Sequence, residues 1–486
     1  MPADRALSDS PARPAGFSGL HDQLLVRVRE RLCEATRRAR SSGAATLVSA
    51  TGRAHQALDP AATVAASRRF GEPWFSMEQS NRDGSALAAL GCVVELGASG
   101  AKRFREIDTR WRALASAALA DPPAGPAGSG LAAVGGFAFA PAGGDLPCWD
   151  GFASASMVVP ELSLARRGSE TWLTLNALVN SDDTPDGLLE RLQARLGELR
   201  AAPLPLLDPV LTGGYSVRSP IPPSQYEEAV ARAVQRIRNG ELEKVVLARE
   251  VNVRAPRAHD PAAIFGALRD GFPSCYVYAV GRDGATFLGA SPELLVRREG
   301  QRASTVALAG STRRSADPSV DEHLAQRLLH SDKDRAENAI VARRIARALA
   351  PYAVWVTAAP EPVVVRVANI QHLAAPIRAQ LRGPVGVIEL AGALHPTPAV
   401  GGEPSEVAQR LIPALEGLDR GWYAGPVGWS DAAGDGEFCV ALRCALLRGA
   451  DATCYAGCGI VRDSDPAAEL AETELKLEAL MPVLAG

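Results

Sequence analysis

Residues 275–300 read CYVYAVGRDGATFLGASPELLVRREG. Three strand-like segments follow one another here, CYVYAVG, ATFLGA and LLVRREG, with no helical period between them. Upstream, SQYEEAVARAVQRIRNGELEK reads as an amphipathic helix ending at Gly240, and KVVLAREVNVRA as a strand. Downstream come a long helix, DKDRAENAIVARRIARALA, and two further strands, GWYAGPVGWS and GEFCVALRCALL. Long strands in succession, broken by occasional helices, predict an α+β fold with a largely antiparallel sheet rather than alternating βα units.

The first 200 residues are more mixed. LVRVRERLCEATRRARSSG reads as a helix stopped by Gly43, GLAAVGGFAFAP and ETWLTLNALV as strands, and DGLLERLQARLGELRAA as a helix. The proline- and glycine-rich stretch 201–214 is the natural boundary. It separates an N-terminal α+β half, 21–205, from a second half, 215–486. Residues 1–20 form a disordered lead-in without the apolar core of a signal peptide.

A chain of 486 residues exceeds one ordinary core, so two domains or one composite domain are expected. With 47% hydrophobic and 22% charged residues it has the composition of a soluble enzyme. A net charge of −3 gives no reason to expect nucleic acid or an acidic membrane as partner, and no apolar run would span a bilayer. A cytoplasmic location follows as an expectation. The eight cysteines contain no Cys-x-x-Cys pair and are expected to be reduced and mostly buried. No Walker loop and no Gly-x-Ser-x-Gly elbow is present, which argues against P-loop hydrolysis and acyl transfer by a serine nucleophile.

Several residues could do chemistry. Lys244 opens an apolar strand; it could snorkel to water, the simpler local reading, or be desolvated as a general base. Ser291-Pro292-Glu293 has the composition of a helix start, but Glu293 could also be a carboxyl kept protonated as a general acid. Lys333 and Glu337 have the spacing of a surface ion pair on one helix. Glu469, Glu472 and Lys476 share one face of another helix. Carboxylates on two helices, without adjacent His or Cys ligands, would suit Mg²⁺. Arg443, in an apolar run, needs an acceptor for its guanidinium. Tyr423 is a candidate hydroxyl partner, and His372 and His395 have the context of core histidines.

Taken in order, KVVLAR (244–249), FLGASPELL (287–295), ALAGSTRR (307–314), LLHSDKDRAENAIV (328–341), NIQHLAAP (369–376), LHPTPAVGG (394–402), GWYAGPVGW (421–429), ALRCALL (441–447) and AGCGIVRDSDPAAELAETELK (456–476) resemble the motifs of chorismate-utilising enzymes, and most closely those of isochorismate synthases. The resemblance covers about half the chain, and the N-terminal half carries no motif. It implies large, mostly antiparallel sheets in a sandwich-like core surrounded by helices, with 215–486 as the chorismate-binding half.

The resemblance also implies roles. Lys244 would activate water to attack C2 of chorismate, and Glu293 would protonate the departing C4 hydroxyl. Glu337 and Glu472 would ligate Mg²⁺, with Glu469 beside them. Tyr423, Arg443 and Lys476 would bind substrate carboxylates, next to the loop of Gly457 and Gly459, and His372 would lie near the ring. Ala399 occupies a position where isochorismate synthases have alanine and salicylate synthases threonine. Lys244 implies water rather than ammonia as nucleophile, hence no glutamine amidotransferase subunit, and a monomer is expected. One departure is Asn338, where the family motif Lys-Asp-x-x-Glu-His has histidine; with Glu337 intact, altered hydrogen bonding rather than a lost metal is expected. The alternatives are a salicylate synthase, which also eliminates pyruvate, and a non-catalytic chorismate-binding homologue.

Overall fold

The three strands of 275–300 are present as Tyr276–Arg282, Ala285–Ser291 and Leu294–Glu299, in a computed structural model that describes residues 18–54, 58–122, 124–208, 213–367 and 369–485. The lead-in expected at 1–20 lies outside the described residues up to residue 17, and Ser18 opens a helix running to Ser42. That helix ends at Gly43, whose φ of 71° a residue with a side chain adopts only under strain.

The described strands form two sheets, one of thirteen strands and one of ten. Every pairing among them is antiparallel except that of Thr46–Arg53 with the short Leu119–Ala120. N-terminal and C-terminal strands share both sheets. Trp74–Gln79 pairs Tyr276–Arg282 in the larger one, and Ala132–Phe137 pairs Pro426–Asp431 in the smaller.

Alternation along the strands explains the layers. Tyr276, Tyr278 and Val280 belong to a core shared with Val296, Ile377 and Phe438 of the smaller sheet. Val277 and Ala279 turn the other way, into a second apolar cluster with Leu24, Val28, Leu188 and Leu192 from covering helices. The fold is therefore α+β, a sandwich of large antiparallel sheets with helices outside, as the motifs implied.

Two positions join the sheets and set up the site. Ala285–Ser291 lies in the larger sheet and Leu294–Glu299 in the smaller, so the chain changes sheet at Pro292-Glu293. The helix start suggested by Ser-Pro-Glu does not form, because Leu294 continues as a strand paired with Cys439. The stretch GEFCVALRCALL is likewise two strands, not one. Gly436–Val440 belongs to the smaller sheet and Cys444–Arg448 to the larger, and the chain changes sheet at 441–443. The two crossings are clamped together: Val440 N–H donates to Glu293 O at 3.0 Å, Ser291 Oγ donates to Val440 O at 2.5 Å, and Ala290 N–H donates to Arg443 O at 3.1 Å.

Candidate active site

One cavity gathers the twelve residues for which the resemblance implies a place in the site. Lys244, Glu293, Glu337, His372, Ala399, Tyr423, Arg443, Gly457, Gly459, Glu469, Glu472 and Lys476 all line it. They come from widely separated segments, brought together at the strand ends and crossings just described.

Lys244 opens the strand Lys244–Arg254 and is 1% exposed, so it does not snorkel. Its Nζ donates to Glu337 Oε1 at 2.7 Å. The space for this pair comes from Gly459 on the neighbouring strand: a Cβ there would lie 2.6 Å from Glu337 Oε1 and 2.7 Å from Lys244 Cε. Gly457 has a similar reason, since a Cβ would lie 3.0 Å from the Tyr423 hydroxyl. The ring of Tyr423 stacks on Tyr455 at 5.2 Å, and burial raises its phenol well above the usual range.

Glu293, at the sheet crossing, is 4% exposed. Burial pushes its carboxyl up to about 8, against the pull of Lys244, Lys476 and Arg443. It therefore keeps its proton at neutral pH. Arg443, at the other crossing, has φ 47°, the left-handed conformation that costs most residues energy and is found at functional sites. It lies before the strand Cys444–Arg448 rather than within one. Its Nη2 donates to His372 Nε2 at 3.4 Å, its one side-chain hydrogen bond among the described residues. Burial, then Arg443 and Lys476, pushes His372 down to about 3, so the imidazole is neutral.

The helix Pro466–Leu477 begins at Asp465, whose side chain accepts from Ala468 N–H, and presents the face predicted for it. Lys476 Nζ lies 2.7 Å from Glu472 Oε1 and donates to Gly457 O at 2.8 Å. Against burial, Lys476 and the Ser311 hydroxyl, which donates to Glu472 at 2.9 Å, hold Glu472 down at about 2. Burial and the charge on Glu472 push Glu469 up. Ligand atoms of Glu469, Glu472 and Cys458 lie within 4.8 Å of one another. Burial raises the Cys458 thiol, and its Sγ donates to Glu469 O at 3.3 Å, so the charged ligands are the carboxylates. All eight cysteines are free, and five are buried.

Lys333 does not pair with Glu337 as its spacing suggested. Its ammonium lies 3.6 Å from Glu469, because Glu337 is turned toward Lys244. Asn338 is 2% exposed, and its Nδ2 donates to the carbonyls of Ala307 and Leu373, both at 3.0 Å. It locks the helix Asp332–Leu349 onto two strands of the smaller sheet and leaves Glu337 aimed at the cavity. His395 is the core histidine expected, with Nε2 2.9 Å from Phe139 O.

Sequence reasoning missed Arg420 and Ser311, which also line the cavity, as do Lys333 and Asp334 of the acidic helix. Arg420 is buried with Glu416; it donates to Val246 O at 2.9 Å and Val400 O at 2.8 Å, while Glu416 accepts from Ala248 N–H at 2.7 Å. This pair pins the Lys244 strand to the loop carrying Ala399. An i, i+4 Glu-Arg pair looks like a surface pair in sequence, and only the apolar residues around it hinted at burial.

The model of a family described as chorismate binding enzymes matches residues 34–485. The chain belongs to the chorismate-binding enzymes. Among members of this family it is 38% identical over 401 residues to the salicylate biosynthesis isochorismate synthase of Pseudomonas aeruginosa, covering 82% of this chain and 83% of the relative. It is 31% identical over 465 residues to isochorismate synthase MenF of Bacillus subtilis, covering 94% and 98%. The solved menaquinone-specific isochorismate synthase MenF of Escherichia coli superposes with a TM-score of 0.75 at 27% identity, covering 95% of this chain and 100% of that one. Anthranilate synthase component I of Streptococcus pneumoniae shares the fold, with a TM-score of 0.59 at 20% identity over 90% of this chain and 92% of that one.

Proposed function

We propose that this chorismate-binding enzyme is an isochorismate synthase, adding water at C2 of chorismate and expelling the C4 hydroxyl. The observation that carries the proposal is a single cavity holding a buried lysine, Lys244, and a buried carboxyl, Glu293, that keeps its proton up to about pH 8. Lys244, exchanging its contact with Glu337 for a water molecule, takes the proton of the attacking water. Glu293 gives its proton to the departing hydroxyl, so no covalent intermediate is needed. Arg443 and Lys476 answer the two substrate carboxylates, whose burial would otherwise be costly. Neutral His372 accepts from Arg443 and holds that guanidinium toward the cavity.

Glu469 and Glu472, whose oxygens lie within 4.8 Å of each other, fit a magnesium ion, with Glu337 lining the same cavity from the other helix. Their donors are hard carboxylate oxygens from two helices, and the charge of Glu472, which together with the larger effect of burial raises Glu469, is what a divalent cation would relieve. When bound, Mg²⁺ supplies Lewis-acid polarisation of a substrate carboxylate. The proposal extends to an enzyme acting alone in the cytoplasm without a glutaminase subunit, supplying isochorismate to menaquinone, siderophore or salicylate synthesis, as the names of its relatives suggest. No helix among the described residues is long and apolar enough to cross a membrane.

The test is incubation of the purified chain with chorismate and Mg²⁺, with EDTA and ammonium controls, and chromatography of the products. Isochorismate without pyruvate supports the proposal. Salicylate with pyruvate would make the chain a salicylate synthase, and chorismate bound without turnover would make it a non-catalytic homologue.

A further inference from the structure

Each of the three glutamates of the cavity is answered by a lysine. Lys244 Nζ lies 2.7 Å from Glu337, Lys476 Nζ 2.7 Å from Glu472, and Lys333 Nζ 3.6 Å from Glu469. Two of these lysines are held by more than the ion pair. Lys244 is 1% exposed in a strand paired on both sides, and Lys476 also donates to Gly457 O at 2.8 Å. Lys333 is the loose one. Its side chain is 47% exposed, and the contact with Glu469 is its one ion pair among the described residues.

The position of Lys333 is unfavourable for the helix that carries it. It is the second residue of Asp332–Leu349, where the partial positive charge of the helix end disfavours a cation and favours the acids Asp332 and Asp334 on either side. What the ammonium gains is the cavity. It lines the same wall as Glu469 and Glu472, and Glu469, Glu337, Asp334 and Glu472 all act on its charge. Without it, Glu469 and Glu472 would meet as like charges with oxygens within 4.8 Å of each other and one lysine, Lys476, against them.

A magnesium ion draws carboxylate oxygens to about 2.1 Å, and an ammonium beside Glu469 competes for the same charge. Resting on the reading of Glu469 and Glu472 as magnesium ligands, we infer that Lys333 is the resident counter-cation of the metal site: it neutralises Glu469 in the metal-free protein, and the ion displaces it on entry. Lys333 can leave without disturbing the fold, since half its side chain already meets water and its stem can turn outward. Lys244 and Lys476 are too buried to do so. Lys333 thus weakens metal binding, and in return screens the two glutamates from each other whenever the metal is away.

The effect is modest in size. A half-exposed ion pair is equivalent to roughly a few-fold in a binding constant, and the several carboxylates facing Lys333 raise that toward roughly tenfold. The effect belongs to this lysine rather than to net charge. Arg335, two residues on, is half-exposed and paired with Glu361, so losing its charge should be screened by solvent.

The test is calorimetric titration of the metal-free protein with Mg²⁺, without substrate, on wild type, Lys333→Met, Lys333→Arg, Arg335→Gln and Glu472→Gln, with melting curves taken with and without the ion. Lys333→Met should bind Mg²⁺ roughly fivefold or more tightly than wild type, while Lys333→Arg and Arg335→Gln stay within about twofold. Lys333→Met should also melt lower than wild type without Mg²⁺ and gain more from it. Should Lys333→Met fail to fold, Lys333→Gln carries the test. Equal or weaker binding by Lys333→Met, with wild type binding Mg²⁺ and Glu472→Gln impaired, would overturn the role of Lys333 and leave the metal site standing. Equal tightening by Arg335→Gln would overturn it too. No Mg²⁺ binding by wild type and Lys333→Met alike would overturn the reading of the metal site, and the role of Lys333 with it.

Discussion

Replacing Glu293 by glutamine should abolish turnover and yet make the protein more stable, by an amount that grows with pH. The carboxyl is raised by burial from its ordinary 4.5 to about 8. A raised carboxyl favours folding below its unfolded pKa, and that contribution is lost as pH climbs toward the folded value, because the unfolded chain ionises first. At pH 5 the loss relative to a permanently neutral side chain is about 1 kcal/mol; at pH 7, some 2.5 pH units above the unfolded pKa, it is about 3 kcal/mol. It levels off above pH 8 near 5 kcal/mol, as an order of magnitude. Glutamine has nearly the same shape and no charge to bury, so Glu293→Gln should escape the loss. Denaturant unfolding of both proteins from pH 5 to pH 8.5 measures the gap directly. A gap that does not widen with pH, or a wild type more stable than the variant at pH 8, would refute both the burial argument and the protonated acid.

Other substitutions probe the remaining parts. Lys244→Ala should lower kcat at least about a thousandfold while circular dichroism stays native, and near-normal kcat would remove Lys244 as base. Gly459→Ala should push Lys244 and Glu337 apart, since the added Cβ would lie 2.6 Å from the carboxylate; kcat should fall far more than Tm, as chromatographic rate assays and melting curves would show. Glu472→Gln should shift the Mg²⁺ titration of activity to higher concentration, and an unchanged titration would exclude it as a ligand. Asn338→Ala leaves the carbonyls of Ala307 and Leu373 without their donor and should cost about 1–3 kcal/mol in denaturant unfolding, with a much smaller effect on the Mg²⁺ titration.

The legible parts of the molecule were those governed by local periodicity. The strands at 276–299 and the helices carrying Glu337 and Glu472 lie where apolar spacing placed them, because their faces are buried in a regular way. The two sheet crossings were not legible. At Ser291-Pro292-Glu293 the local composition favours a helix cap, and pairing of Leu294 with the smaller sheet overrides it. At 441–443 an unbroken apolar run hides a left-handed arginine, since nothing in ALRCALL distinguishes a crossing from a straight strand. The site was read from motif order rather than from chemistry. Lys244 alone looked like a surface lysine, and the room for its buried pair with Glu337 depends on Gly459, two hundred residues away on the neighbouring strand. The buried Arg420–Glu416 pair was missed because its partners are backbone groups of distant segments.

The central claim is that water adds to the substrate under the action of Lys244 and Glu293. Turnover of chorismate in heavy-oxygen water, followed by mass spectrometry of the product, tests it most directly. The account predicts isochorismate carrying one solvent oxygen, formed by the wild type and absent with Lys244→Ala. Isochorismate formed without solvent oxygen would mean that the hydroxyl migrates within the substrate, and would contradict it.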